Sequence, residues 1–189
     1  MQVSEEDVTR AMRETRAQFE AWHPPHARTQ LHIDASALLA ELGLPADVKY
    51  VNVALNPIPS FLALLGLGAE DDGAPEYART ARQLVHVAEM TGGLTNGQTS
   101  SYDLTTVNYD LAAIKVNIAH MPADQQLSLE NVLAHETIHL SQYAAMKRAG
   151  KDPIRESIRV NMEHSYADNP MELDAFKRAP ALAHLVKVG

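Results

Sequence analysis

Two histidines separated by three residues, with a glutamate directly after the first, form the stretch His135-Glu136-Thr137-Ile138-His139. On an α-helix, residues four apart share a face, about 40° apart in rotation and ~6 Å apart along the axis. At that spacing two imidazoles can reach one metal ion through Zn–N bonds of about 2.0–2.1 Å. A carboxylate next to such a centre is placed to take a proton from water that the metal acidifies. With 9 histidines in 189 residues, chance supplies about 0.03 such patterns per chain. The competing reading is a surface helix carrying two solvated histidines.

The pattern needs a helix under it, and the flanking residues provide one. Ser128 suits an N-cap, about twenty residues follow without Pro or Gly, and Gly150 suits the position after the C-cap, with Pro153 beyond. Leu129, Val132, Leu133, Leu140 and Ala144 recur near the helical period and predict one apolar face.

Two histidines do not complete a catalytic zinc site; a third protein ligand is required, with the fourth corner left to water. Downstream candidates are His164, Asp168, Glu172, Asp174 and His184. Ile154 to Met162 reads as a helix, Ala167-Asp168-Asn169-Pro170 breaks it, and a new helix with proline at its first position runs to Leu182. Glu172 lies in the first turn of that helix. Two readings compete for its carboxylate: the N3 residue of a capping box begun by Asn169, or the third metal ligand. The ligand reading is preferred, because a cap alone leaves the two histidines short of zinc's ligand set.

His135-Glu136-Thr137-Ile138-His139 followed by Glu172-Leu173-Asp174-Ala175 resembles the gluzincin zinc metallopeptidases, especially their compact one-domain, minigluzincin-like members. The specific resemblance covers Ser128 to about Ala179. It implies His135, His139 and Glu172 as ligands of Zn2+ and Glu136 as the catalytic carboxylate. It also implies an α+β, zincin-like fold: a small mixed or antiparallel sheet packed on the active-site helix, with a separate glutamate helix. Two departures stand out. Ser141 occupies a position where the stricter motif prefers an apolar residue, and no residue aligns with the family's transition-state donor. His164 and Tyr166, just before the Glu172 helix, are the candidates for that donor; Asp174 is a candidate to orient a ligand histidine.

Composition narrows the alternatives. A net charge of −8, from 16 basic and 24 acidic residues with no basic cluster, argues against nucleic acid or an anionic membrane surface as partner. The chain has no cysteine, which excludes a disulfide scaffold, a thiolate metal site and a cysteine nucleophile. No signal peptide is visible at the N-terminus, so a cytoplasmic location is expected. Val51 to Ala69 has no charged residue, but Pro57, Pro59, Gly66 and Gly68 interrupt it, and a buried segment is expected rather than a span.

In chain order, a single domain is expected in three parts: a helical N-terminal extension (1–45), a strand-rich part (46–120) and the metal-binding helices (128–189). Ser4 and Asp7 signal a helix start, and the helix over 5–22 stops at Pro24-Pro25, near His23, His26 and His32. Asp34 caps a short helix, Ala35 to Leu42, closed by Gly43. Strand-like stretches are Val48 to Leu55, Leu84 to Val87, Thr105 to Tyr109 and Ala113 to Ala119. Phe61 to Leu67 is apolar but undecided between helix and strand, and Glu70 to Gly73 is an exposed acidic turn. Thr91 to Ser101, uncharged and rich in Gly, Thr, Ser and Asn, suits a mobile loop or flap.

The residues therefore predict a zinc-dependent peptidase acting on a peptide or protein substrate. The alternatives are a catalytically inactive zinc- or peptide-binding regulatory module on the same fold, and a structural domain with a fortuitous motif. A di-iron bundle is disfavoured, since within the metal-binding helices (128–189) only one Glu-x-x-His pair occurs, Glu136 to His139.

Overall fold

The computed structural model describes residues 3–21, 30–56, 94–120 and 127–189. The stop at Pro24-Pro25 with His23 and His26, the Phe61–Leu67 run, the acidic turn at 70–73 and the strand expected at 84–87 lie outside the described residues.

Helix α1 (Glu5–Ala21) starts where its capping signal places it: the Asp7 N–H donates to Ser4 Oγ at 3.2 Å, and Ser4 Oγ donates to the Asp7 carboxylate at 2.6 Å. Strand β1 (Ile33–Asp34) leads into helix α2 (Ser36–Glu41), whose first N–H and hydroxyl both donate to Asp34 Oδ1. The chain leaves α2 at Gly43 with φ of +63°, a conformation open to glycine at no steric cost. Next come β2 (Lys49–Asn52), β3 (Gly97–Thr99) and β4 (Thr106–Tyr109), then α3 (Leu111–His120). The long motif helix α4 (Leu129–Arg148) precedes α5 (Pro153–Glu163), α6 (Pro170–Leu182) and β5 (Lys187–Val188).

The fold is mixed α+β. Its main sheet has three strands in the order β2-β4-β3, with β2 parallel to β4 and β3 antiparallel to it. The pairings Lys49↔Thr106 and Gly97↔Tyr109 set the register, and β3 is an edge strand beside α4. A second, two-stranded pair ties β5 back to β1. Among the described residues, no helix is long and apolar enough to cross a membrane.

One expected strand is a helix. Ile114, Val116 and Ile118 alternate with polar residues and read as a half-buried strand, yet Leu111–His120 is α3. The alternation fails at Ile118, which is exposed, while Ala113 and Ile114 are both buried. Asp110 decides the outcome. Its carboxyl accepts from the Ala113 N–H at 3.2 Å, and its own carbonyl accepts from Ile114, which starts a helical turn.

The same side chain holds the sheet together. Asp110 is fully buried, and its second oxygen accepts from the Leu55 N–H (3.1 Å) and from Asn56 Nδ2 (3.2 Å). Asn117 on α3 binds both main-chain groups of Leu94 and the side chain of Asn96, which fixes the approach to β3. Asp110→Ala should therefore cost about 3 kcal/mol, because the buried Ala113 N–H and the half-buried Leu55 and Asn56 donors lose a shared acceptor. Urea unfolding checks this; a change under about 0.5 kcal/mol would remove Asp110 from the centre of the network.

Helix α4 was expected to be amphipathic, but its middle is buried on nearly every side. Leu133, Ile138 and Leu140 sit in the core alongside Glu136, Thr137 and His139. The sheet packs on one flank and α6 on another. Ala175 and Ala179, both fully buried on α6, give that helix no bulk where it joins the shared core.

Candidate metal centre

The motif helix is fixed before its histidines are considered. Ser128 accepts the Asn131 N–H at 3.1 Å, as an N-cap should. Thr137 donates to the Leu133 carbonyl and shares a 3.0 Å hydrogen bond with the Tyr50 hydroxyl on β2, pinning the helix to the sheet. His135 and His139 then leave the helix on the side facing α6.

Helix α6 starts at Asn169, whose side chain accepts the Met171 N–H at 2.9 Å, with Pro170 in the first turn. The Asn169 N–H donates to the Tyr166 carbonyl, so the Glu172 carboxylate has no capping-box role there. It turns instead to the histidines: Oε2 lies 3.2 Å from His135 Nε2, and Oε1 lies 3.5 Å from His139 Nε2. The two Nε2 atoms are 3.1 Å apart. The competition between cap and ligand readings thus ends with the carboxylate in the cluster.

These separations can be tested against a metal. Donors bound at about 2.05 Å in a tetrahedron stand about 3.3 Å from one another. The distances of 3.1 Å between the two imidazole nitrogens and of 3.2 and 3.5 Å from each of them to one of the two Glu172 carboxylate oxygens bracket that value, so the three groups stand as close together as donors sharing one ion. The side chains are 12%, 8% and 18% exposed for His135, His139 and Glu172, which limits competition from solvent. His135, His139 and Glu172 are close enough to hold a metal ion. They line a cleft of about 570 Å³ bounded by residues 94–99 on one side and α6 on the other.

The charges in the cleft are arranged in opposition. Burial works against ionisation of Glu172, but hydrogen bonds from His135 and His139 prevail and hold its pKa down at about 2. Burial likewise disfavours the charged form of His139, but Glu172 and Glu136 prevail and raise it. Glu136 shifts the other way. Its near-complete burial outweighs the nearby histidines and the hydrogen bond from Thr99, and its pKa is raised.

Sequence reasoning missed the residues that hold Glu136. The stretch expected to be a mobile loop contains β3, and two of its residues face the Glu136 side chain. Thr99 Oγ1 lies 3.0 Å from both the Glu136 carbonyl and its carboxyl Oε2. At Gly97 a Cβ would fall 2.5 Å from Glu136 Cγ, so only glycine leaves space for the carboxylate arm. Asn96-Gly97 has the composition of a turn, which concealed the strand.

Gln142 was also missed, although a residue three beyond His139 on one helix face is its neighbour. Its Oε1 lies 2.9 Å from His139 Nδ1. Asp174, expected to orient a histidine directly, contacts Gln142 instead. Tyr143 is buried, with its ring stacked near His139.

The two candidate donors separate. Tyr166 lines the cleft, edge-on to Phe176; desolvation of its hydroxyl and then the Glu172 carboxylate push its pKa up to about 12. His164 is exposed at the end of α5 and does not line the cleft. Of the other downstream candidates, neither Asp168 nor His184 joins the cluster. No known protein family, curated protein or solved structure matches the chain.

Without metal, the cluster's effect on stability has a defined pH window. The pKa of Glu172 lies below its ordinary 4.5, so its contribution is present above that value and fades as pH falls towards 2. That of His139 lies above 6.5, so its contribution is full below that value and fades as pH rises through the raised pKa. The two overlap at about pH 5–6. In chelator, the melting temperature of the wild type should exceed that of Glu172→Gln most in this window, with the gap narrowing at alkaline pH. An equal gap at about pH 5 and pH 9 would contradict the coupling.

Proposed function

We propose that the chain is a zinc-dependent peptidase, with His135, His139 and Glu172 holding the ion and Glu136 as general base. The observation that carries this reading is the close approach of two imidazole nitrogens and a carboxylate, at separations near those of donors sharing a tetrahedral zinc, in a cleft that also contains a buried carboxyl. Two imidazoles and one carboxylate leave a formal charge of +1, and zinc bound there supplies Lewis acidity towards a substrate carbonyl and towards water.

The protein's own groups account for the rest. Glu136 has a raised pKa, which suits a group that accepts a proton from water and returns it to the departing amine. Tyr166 keeps its proton at neutral pH and stands at the cleft as a hydrogen-bond donor for a developing oxyanion. The edge strand suits an extended peptide. The Asp110 N–H donates to the Asn96 carbonyl, so alternation along the ladder turns the main-chain groups of Gly97 and Thr99 away from β4. Those groups can add a peptide strand beside the metal ligands.

Zinc analysis combined with hydrolysis of a mixed peptide library tests the reading. The wild type should carry about one zinc and cleave, while Glu172→Ala should lose most of its zinc. Glu136→Gln should keep zinc and lose about 10²–10⁴-fold in turnover. Wild type without zinc after chelator-free purification would sink the proposal, and zinc without cleavage would leave a binding module in its place. Gly97→Ala should keep zinc but lower turnover by at least about tenfold, because the new methyl displaces the Glu136 arm. Unchanged turnover would show that Glu136 needs no such clearance.

A further inference from the structure

We infer that Gln142 is a positioning residue that selects which nitrogen of His139 faces the metal, and that Asp174 acts through it. The inference rests on the metal centre proposed above and assigns a role to two residues outside the ligand set.

The argument turns on which way an amide can point. Gln142 Nε2 lies 3.0 Å from the Met171 carbonyl and 2.9 Å from Asp174 Oδ2, both on α6. Both are acceptors, so the amide must present its NH2 group to α6 and its oxygen to His139. That oxygen lies 2.9 Å from Nδ1, which must therefore carry a hydrogen. A neutral imidazole with hydrogen on Nδ1 has its lone pair on Nε2. Nε2 is the atom that stands 3.1 Å from His135 Nε2 and 3.5 Å from the Glu172 carboxylate.

A chain of contacts thus runs from Arg178 through Asp174 and Gln142 to the imidazole. Arg178 donates to the same Asp174 oxygen at 3.1 Å, which keeps that carboxylate turned towards the relay. Without Gln142 the ring can exchange tautomers and turn about its side-chain bonds, and both lower the population ready to bind. Partners of this kind are worth about 10–100-fold in metal affinity.

Competition with a calibrated chelator, using zinc as the probe, gives the affinity. Gln142→Leu keeps the volume and removes the amide; its zinc affinity should fall about 10–100-fold, and Asp174→Ala should fall by less, since Met171 still fixes the amide. Nitrogen-15 imidazole spectra of the zinc-loaded protein provide a readout that loss of helix packing alone would not mimic. The wild type should show a slowly exchanging Nδ1 proton on His139, absent in Gln142→Leu. If Gln142→Leu does not fold, the wild-type spectrum still decides, because a missing Nδ1 proton or zinc on Nδ1 overturns the inference. Wild-type affinity in a folded Gln142→Leu overturns it too. A wild type that binds no zinc overturns the parent proposal instead, so the two failures are distinguishable.

Discussion

Two imidazole nitrogens and a carboxylate held within 3.5 Å of one another, mostly out of water, are the constraint on which this structure depends. Each group alone is better solvated in water, and two imidazole lone pairs 3.1 Å apart repel unless a cation or a proton stands between them. The fold imposes the meeting through two helices. Helix α4 supplies the histidines from positions fixed by Thr137 and Ile138, and α6 approaches with alanines where a larger residue would hold it off. The cluster is therefore a product of helix packing, and any change in the α4–α6 spacing acts directly on the donor distances.

A helix buried through its middle must still satisfy its polar side chains. Thr137 and Ser141 do so locally, each donating to a main-chain carbonyl one turn back. This explains why serine is tolerated at 141, where an apolar residue was expected: its hydroxyl is consumed within the helix and costs the core little. On the far side of the cleft, amides and one carboxyl replace apolar contacts. Asn56, Asn117 and Asp110 tie residues 94–96 to β2, β4 and α3, so the short edge strand is held by hydrogen bonds where it lacks area to bury.

Local signals were legible wherever one residue type dominates. The caps at Ser4, Ser128 and Asn169, the turn at Gly43 and the proline starting α6 all appear where the sequence places them. The pairing of Glu172 with the histidines was legible because the motif required a third ligand. The α3 segment was not, since its alternation satisfies a strand template and only Asp110, buried by contacts distant in sequence, turns it into a helix. Strand β3 was hidden for a related reason. Its glycine answers to the Glu136 side chain, 39 positions away along the chain, and no local pattern encodes that distance.

The two carboxyl groups of the cleft show why the edge strand matters to the chemistry. Glu172 faces two imidazoles, which hold it ionised; Glu136 is buried against Gly97 and Thr99, and that burial pushes its pKa upwards although the Thr99 hydrogen bond pulls it down. Identical functional groups separated this way by environment suit different tasks, one a constant anion and the other, under the proposed function, a group that gains and loses a proton. The separation does not come from the motif itself, since a solvated helix carrying the same five residues would leave Glu136 in water. It comes with the packing of Gly97 and Thr99 of β3 against the Glu136 arm, and β3 is the strand that would also seat an extended substrate under the proposed function. Proton transfer and substrate placement would then share one element, and a change that loosens β3 would weaken both together.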